Sequence, residues 1–165
     1  MLIEGYKLTP AGERYFKELK KLTEKEVRFG FFADTNRPAA LRKSDGTIED
    51  SPDVTILDVA MWNELGTVNS PPRPFMRMSI DENKAKINAF CANEARKISQ
   101  GGTAEQALKS IGVFAKGLVQ EKIKDGTFVP NAPSTIARKG SDKPLIDTGR
   151  MRQSVNFVIK DKGGR

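Results

Sequence analysis

Apolar residues recur along this chain with two periods, and the switches between them outline its elements. Over residues 8–26, Tyr15, Leu19 and Leu22, with Phe16 beside them, keep a helical spacing while Lys and Glu fill the other faces. Thr9-Pro10 supplies a hydroxyl cap and a proline at the first helical position. Over 27–33 the period becomes two, with Val27, Phe29, Phe31 and Ala33 on one side of a strand and Phe32 on the other. Residues 34–50 keep no period and are rich in turn formers. They read as an exposed, mobile loop, with a short hairpin around Asp45-Gly46 as the alternative. Ser51-Pro52-Asp53 has the form of a helix start, and Val54, Leu57, Met61 and Leu65 mark the buried face of a helix that Gly66 closes.

After that glycine, Pro71, Pro72 and Pro74 stiffen an elbow in front of a helix predicted over 75–100, with Ile80, Ile87, Cys91, Ala95 and Ile98 in its apolar stripe. Arg73 and Arg77 bracket Phe75, and their four-residue step predicts one shared helical face. Asp81-Glu82 falls in the first turns of that helix, where the macrodipole accounts for acids without catalysis. Gly101-Gly102 breaks the chain and Thr103 caps a helix over 104–124, striped by Leu108, Ile111, Ala115, Leu118, Val119 and Ile123. Gly112 and Gly117 inside it each cost about 1 kcal/mol of helix propensity, which implies a close backbone neighbour. Residues 133–138 form a helical turn, Leu145-Ile146 is apolar, and Asp147 is placed to accept backbone N–H bonds at a short helix start. Residues 154–160 return to period two with Val155, Phe157 and Ile159 inward.

Few strands and several amphipathic helices sharing a core predict an α+β fold: a small, mainly antiparallel sheet packed against helices, as a single domain over 1–165. No apolar run approaches the roughly 18–20 residues of a membrane span, and the first five residues lack the form of a signal peptide, so the expectation is a cytosolic chain with no membrane contact. The single cysteine, Cys91, cannot form an internal disulfide and reads as a small buried hydrophobe. The chain has no histidine, which removes the usual zinc and haem ligands and histidine acid–base catalysis. Ser134 and Ser154 have no activating base, and Gly101-Gly102-Thr103 lacks the strand and lysine of a phosphate loop. No catalytic, cofactor or metal residue is assigned, and no enzyme is expected.

The formal charge is +7. Residues 122–165 hold ten Lys and Arg against four Asp and Glu, so the surplus sits in the C-terminal quarter. A solvated basic surface is the plain reading; contact with an acidic protein surface or with DNA is the sharper one. Only Phe128 and Phe157 lie in that quarter, too few aromatics for stacking on single strands.

Four blocks then stand in order: Trp62-Asn63-Glu64-Leu65-Gly66-Thr67; Pro72-Arg73-Pro74-Phe75-Met76-Arg77; Ala132-Pro133-Ser134-Thr135-Ile136; and residues 140–149, ending Leu145-Ile146-Asp147-Thr148-Gly149. This order resembles the tail-completion or neck proteins of tailed bacteriophages and prophages, related to the lambda minor tail protein Z group. That family shows a W-N-E-[FL]-G-T block, a P-x-R-P-F-[LM]-R block and a late L-[IV]-D-T-G block followed by a strand. The match covers about residues 27–160 and leaves the N-terminal helix, 1–26, outside; the polar 34–50 stretch departs from it. The resemblance implies an α+β structural protein of the virion that completes the tail or joins it to the head. Its partners would be other phage tail or connector proteins, with a homo-oligomeric ring left open, and it would assemble in the bacterial host cytoplasm and reside in the tail or neck. Arg73, Phe75, Arg77, Arg138 and Lys139 are the partner-interface candidates; Trp62, Gly66, Pro72, Pro74, Leu145, Asp147 and Gly149 are the structural set. The competing class is a basic nucleic-acid-binding module built on the C-terminal quarter.

Overall fold

The computed structural model describes residues 7–163. It is an α+β structure of seven helices and two small antiparallel two-stranded sheets among those residues. The contacts of the chain group into two units, one of residues 1–28, 85–114 and 157–165 and the other of 29–84 and 115–156.

In the first unit, α1 (Pro10–Glu24) begins where Thr9 accepts the Gly12 N–H at 3.2 Å, as the Thr-Pro pair predicts. Its buried position is Glu18; Tyr15, Leu19 and Leu22 are half-buried, and Phe16 lies outside the stripe, exposed. The following strand β1 (Lys25–Gly30) pairs with the last strand, β4 (Asn156–Asp161). Lys162 N–H donates to the Glu24 carbonyl at 2.7 Å and Lys25 meets Asp161 at 2.8 Å. The helix α4 (Lys84–Ser99) keeps its predicted stripe: Ile87, Cys91 and Ala95 are half-buried and Ile98 is buried. Next comes α5 (Ala104–Asp125), whose residues 104–114 belong to this unit and whose remainder belongs to the other. Thr103 and Gln106 cap it reciprocally, each side chain accepting the other's backbone N–H. A second cap comes from α1, where Glu18 Oε2 accepts the Ala104 N–H at 2.8 Å. Lys21 holds the other Glu18 oxygen at 2.6 Å, and these bonds, Lys21 first, lower the carboxyl's pKa.

Gly112 is the point of closest approach in α5. A Cβ built there would stand 2.1 Å from Phe157 Cδ2, so the ring of β4 occupies the notch the glycine leaves. The close neighbour at Gly112 is thus a side-chain ring and not the backbone expected from the sequence, and Gly117, which is exposed, has nothing within 4 Å.

The second unit holds the larger core, in which Ala39, Ile56, Ala60, Phe75, Val119, Ile123, Leu145, Met151 and Val155 are buried together. Phe31 meets Phe75 edge-on, ring centroids 6.1 Å apart. The 34–50 stretch is not a structureless loop. After a 3-10 turn (Ala33–Thr35), β2 (Pro38–Arg42) and β3 (Ile48–Thr55) form the hairpin that Asp45-Gly46 signals, with Asp45 accepting the Thr47 N–H at 2.8 Å and Gly46 at φ +85°. Pro52 does not open a helix: the pairing register jumps from Pro38↔Thr55 to Ala40↔Asp50, and the residues between bulge out of the ladder. A proline is tolerated in such a bulge because no ladder bond needs its missing N–H.

The helix instead starts at Thr55, whose hydroxyl accepts the Asp58 N–H while Asp58 accepts from Thr55, giving α2 (Ile56–Leu65) a capping box. The face this helix buries is not the predicted one, although Leu57 of the predicted face stays half-buried. Ile56 and Ala60 are buried, whereas Met61, Trp62 and Leu65 are exposed. The predicted helix over 75–100 is two helices: α3 (Phe75–Asp81) stops at Glu82 and Asn83 before α4 begins. Asp81 and Glu82 therefore lie at the end of α3, not in the first turns of a long helix, and are held by ion pairs to Lys84 and Lys122. The short helices α6 (Pro133–Lys139) and α7 (Arg150–Ser154) are set off by Gly140 and Gly149, both in the left-handed conformation.

Candidate functional site

The sequence blocks, separated along the chain, meet around one pocket of about 280 Å³ in the second unit. Asn63 comes from the Trp-Asn-Glu block, Arg73 from the Pro-Arg-Pro-Phe elbow, Thr135 from α6, and Leu145, Asp147, Thr148 and Gly149 from the last block. Asn131, just before the third block, and Arg138, Lys139 and Arg150 complete the polar lining; Ile56, Val59 and Met151 supply apolar wall.

Arg73 organises this assembly. It is 5% exposed, and its guanidinium donates to the Val129 carbonyl at 2.9 Å, Asn131 Oδ1 at 3.1 Å, the Pro130 carbonyl at 3.3 Å, Ser70 Oγ at 3.4 Å and Asn63 Oδ1 at 3.5 Å. Its backbone N–H donates to the Asn63 carbonyl at 2.6 Å. Every one of these acceptors is neutral. Burial lowers the Arg73 pKa, because no carboxylate offsets the desolvation of its charge. The elbow is pinned a second time by Glu64, whose two oxygens accept the Met76 N–H at 2.8 Å and the Arg77 N–H at 3.1 Å, a cap for the open start of α3. Gly66 takes φ +78° because a Cβ would stand 2.8 Å from the Pro72 nitrogen, so the glycine and the proline run define one tight turn.

These contacts correct several assignments. Arg73 and Phe75 are not displayed to a partner: the first is spent on internal carbonyls and amides, the second is fully buried in the core. Arg73 and Arg77 do not share a face, because Arg73 precedes the helix and turns inward while Arg77 is exposed. Arg138 is exposed, and Lys139 is half-buried with Nζ donating to the Lys143 carbonyl at 2.7 Å and the Pro144 carbonyl at 3.4 Å. Among the structural set, Leu145 is in the core and Gly149 starts α7, but Asp147 caps no amide; it pairs with Arg42 at 2.6 Å. Trp62 is 43% exposed, and with Met61, Leu65 and the fully exposed Val68 it contributes apolar side chains around the C-terminal end of α2. Pro72 is exposed and Pro74 half-buried, both serving the turn through backbone shape.

Charge in the pocket is unevenly matched. Arg42 takes Asp147, and Arg150 takes Asp50 at 2.5 Å. Arg73 and Lys139 have only neutral acceptors. Burial depresses the Lys139 pKa; Arg73, Arg42 and Arg138 depress it further, against the single opposing pull of Asp147. Asn131 adds an unmet donor: Arg73 fixes its Oδ1, and Nδ2 is enclosed with no acceptor in reach. Sequence reasoning missed Asn63, Asn131, Arg42 and Arg150, and the one signal for Asn63 was its place inside the first block.

Comparison with protein-family models, curated proteins and solved structures finds no match. Among the described residues no group of three or more Cys, Asp or Glu side chains could hold a metal ion, and no helix is long and apolar enough to cross a membrane.

Proposed function

We propose that this chain is a structural virion protein of a tailed phage or prophage, completing the tail or joining it to the head through protein–protein contacts. The observation that carries the reading is the convergence of the resembling blocks. Residues far apart in sequence are held together by Arg73 and Glu64, beside the apolar side chains of Met61, Trp62, Leu65 and Val68, which are exposed among the described residues. Such a scaffold holds a recognition surface rigidly; its polar groups make structural bonds and place no nucleophile beside a base. Assembly would take place in the host cytoplasm, with the protein ending in the tail or neck and touching other tail or connector proteins.

The test is co-sedimentation of the purified chain with tails and with connector complexes from particles that lack it. Association, restored head–tail joining, and loss of both in a folded Trp62→Ser/Leu65→Ser variant are the expected results. A folded chain that associates with neither structure would overturn the proposal. The nucleic-acid reading rests on the basic surplus of 122–165. Several of those cations, Lys122, Lys124 and Arg150, already pair with Glu82, Asp125 and Asp50. Duplex DNA binding that falls steeply with salt would favour it over the virion role.

A further inference from the structure

We infer that the pocket between α2, the elbow, α6 and α7 is a receptor for a single carboxylate, an acidic side chain presented by a partner polypeptide. The partner source rests on the virion reading above; the carboxylate chemistry rests on the pocket alone.

Two deficits point to this ligand. Arg73 is a buried cation and Lys139 a half-buried one, and every hydrogen-bond acceptor they have is neutral. The nearby carboxylates, Asp147 and Asp50, are committed to Arg42 and Arg150. A buried charge whose hydrogen-bond acceptors are all neutral is costly, and Asp147, already paired with Arg42, offsets it only in part, so the site gains from an incoming anion. The second deficit is Asn131 Nδ2, whose free bonding capacity is that of a donor because Arg73 fixes the amide's orientation. A carboxylate supplies the charge that the cations lack, and a small shift of the enclosed Asn131 side chain toward the pocket it lines gives the amide an acceptor oxygen.

Size and surroundings narrow the class. About 280 Å³ lies at the small end of ligand pockets, ample for one acidic side chain with ordered water and small for a larger ligand. Ala39, Ile56, Val59, Leu145 and Met151 form an apolar wall that suits the methylenes of Glu or Asp. Asp147 on the rim opposes a dianion more strongly than a monoanion, which disfavours phosphate.

The experiment is a titration of the isotope-labelled full chain, followed by NMR at the Asn131 side-chain amide. The probes are an acetylated, amidated Gly-Glu-Gly peptide, its Gln counterpart and inorganic phosphate. The Glu peptide should shift that amide saturably, and the Gln peptide should bind at least tenfold more weakly. In Lys139→Met the Glu affinity should drop by tenfold or more. Asn131→Asp keeps the acceptor for Arg73 and places a carboxylate in the site, so binding, read in that variant at the backbone amides of the pocket residues Thr135 and Gly149, should be abolished while the unfolding midpoint rises. Equal responses to the Glu and Gln peptides, no response at all, or undiminished binding in Asn131→Asp would overturn the inference. So would phosphate that binds tenfold tighter than the peptide. Tail association without peptide binding would sink the carboxylate receptor and leave the virion reading standing; peptide binding without tail association would do the reverse.

Discussion

Gly112 and Gly117 lie one and a half turns apart on α5, yet they should respond in opposite directions to the same substitution. At Gly117 nothing stands within 4 Å of an added Cβ, so Gly117→Ala should raise stability by about 1 kcal/mol through helix propensity. At Gly112 the added carbon would fall 2.1 Å from the Phe157 ring, and overpacking of about 1–3 kcal/mol should exceed that gain. Urea unfolding of the two variants checks the contrast. Arg73→Ala should strand the Val129 and Pro130 carbonyls and Asn131 Oδ1, each at a cost of about 1–3 kcal/mol if left unpaired, and Arg73→Lys should recover only part because an ammonium cannot span the same fan of acceptors. Lys139 gives a signature in pH. Its folded pKa is depressed, so between that value and the unfolded one near 10.5 the unfolded chain binds more protons, and stability should rise with pH across that window. Denaturation midpoints measured on the alkaline side should show this rise in the native chain and lose it in Lys139→Met.

At the scale of elements, the sequence was most readable where one signal acted alone. The Thr9-Pro10 start of α1 and the stripe of α5 appear where their local chemistry puts them, whereas the Asp45-Gly46 hairpin is legible only as the alternative to a mobile loop. It was least readable where one local pattern serves two structures. Ser51-Pro52-Asp53 has the chemistry of a helix start, and Ser51 Oγ does accept the Val54 N–H at 3.2 Å, but inside a bulge that the pairing of β2 with β3 creates. The face that α2 buries is marked by Ile56 and Ala60, one position off the Leu57, Met61 and Leu65 stripe, so Trp62 and Leu65 are exposed despite their hydrophobicity. Thr55→Ala should cost about 1 kcal/mol by removing the cap, measurable as a lower thermal midpoint. The end of α3 carries no Gly or Pro to announce it; ion pairs made by Asp81 and Glu82 mark the break, and their partners are not legible in a linear pattern. The pocket escaped for the same reason, since the acceptors of Arg73 at 129–131 lie more than fifty residues away.

At the scale of the whole molecule, the exposed Trp62 offers a direct readout, being the single tryptophan of the chain. Its emission should lie at long wavelength in the free protein and shift to shorter wavelength on association with tails, if α2 is part of the contact. Light scattering at low and moderate salt then separates a chain that closes into a ring alone from one that takes its symmetry from a partner.

The pairing of β1 with β4 has a kinetic side. Lys25 and Asp161 are 136 residues apart, so this small sheet closes a loop that encompasses most of the chain. Ordering so long a loop opposes folding until other contacts have shortened it, and a high contact order slows the search. A β4 variant such as Phe157→Leu should therefore leave the refolding rate nearly unchanged and speed unfolding, because contacts that close last are absent from the transition state. Stopped-flow refolding and unfolding of the variant beside its parent check that split.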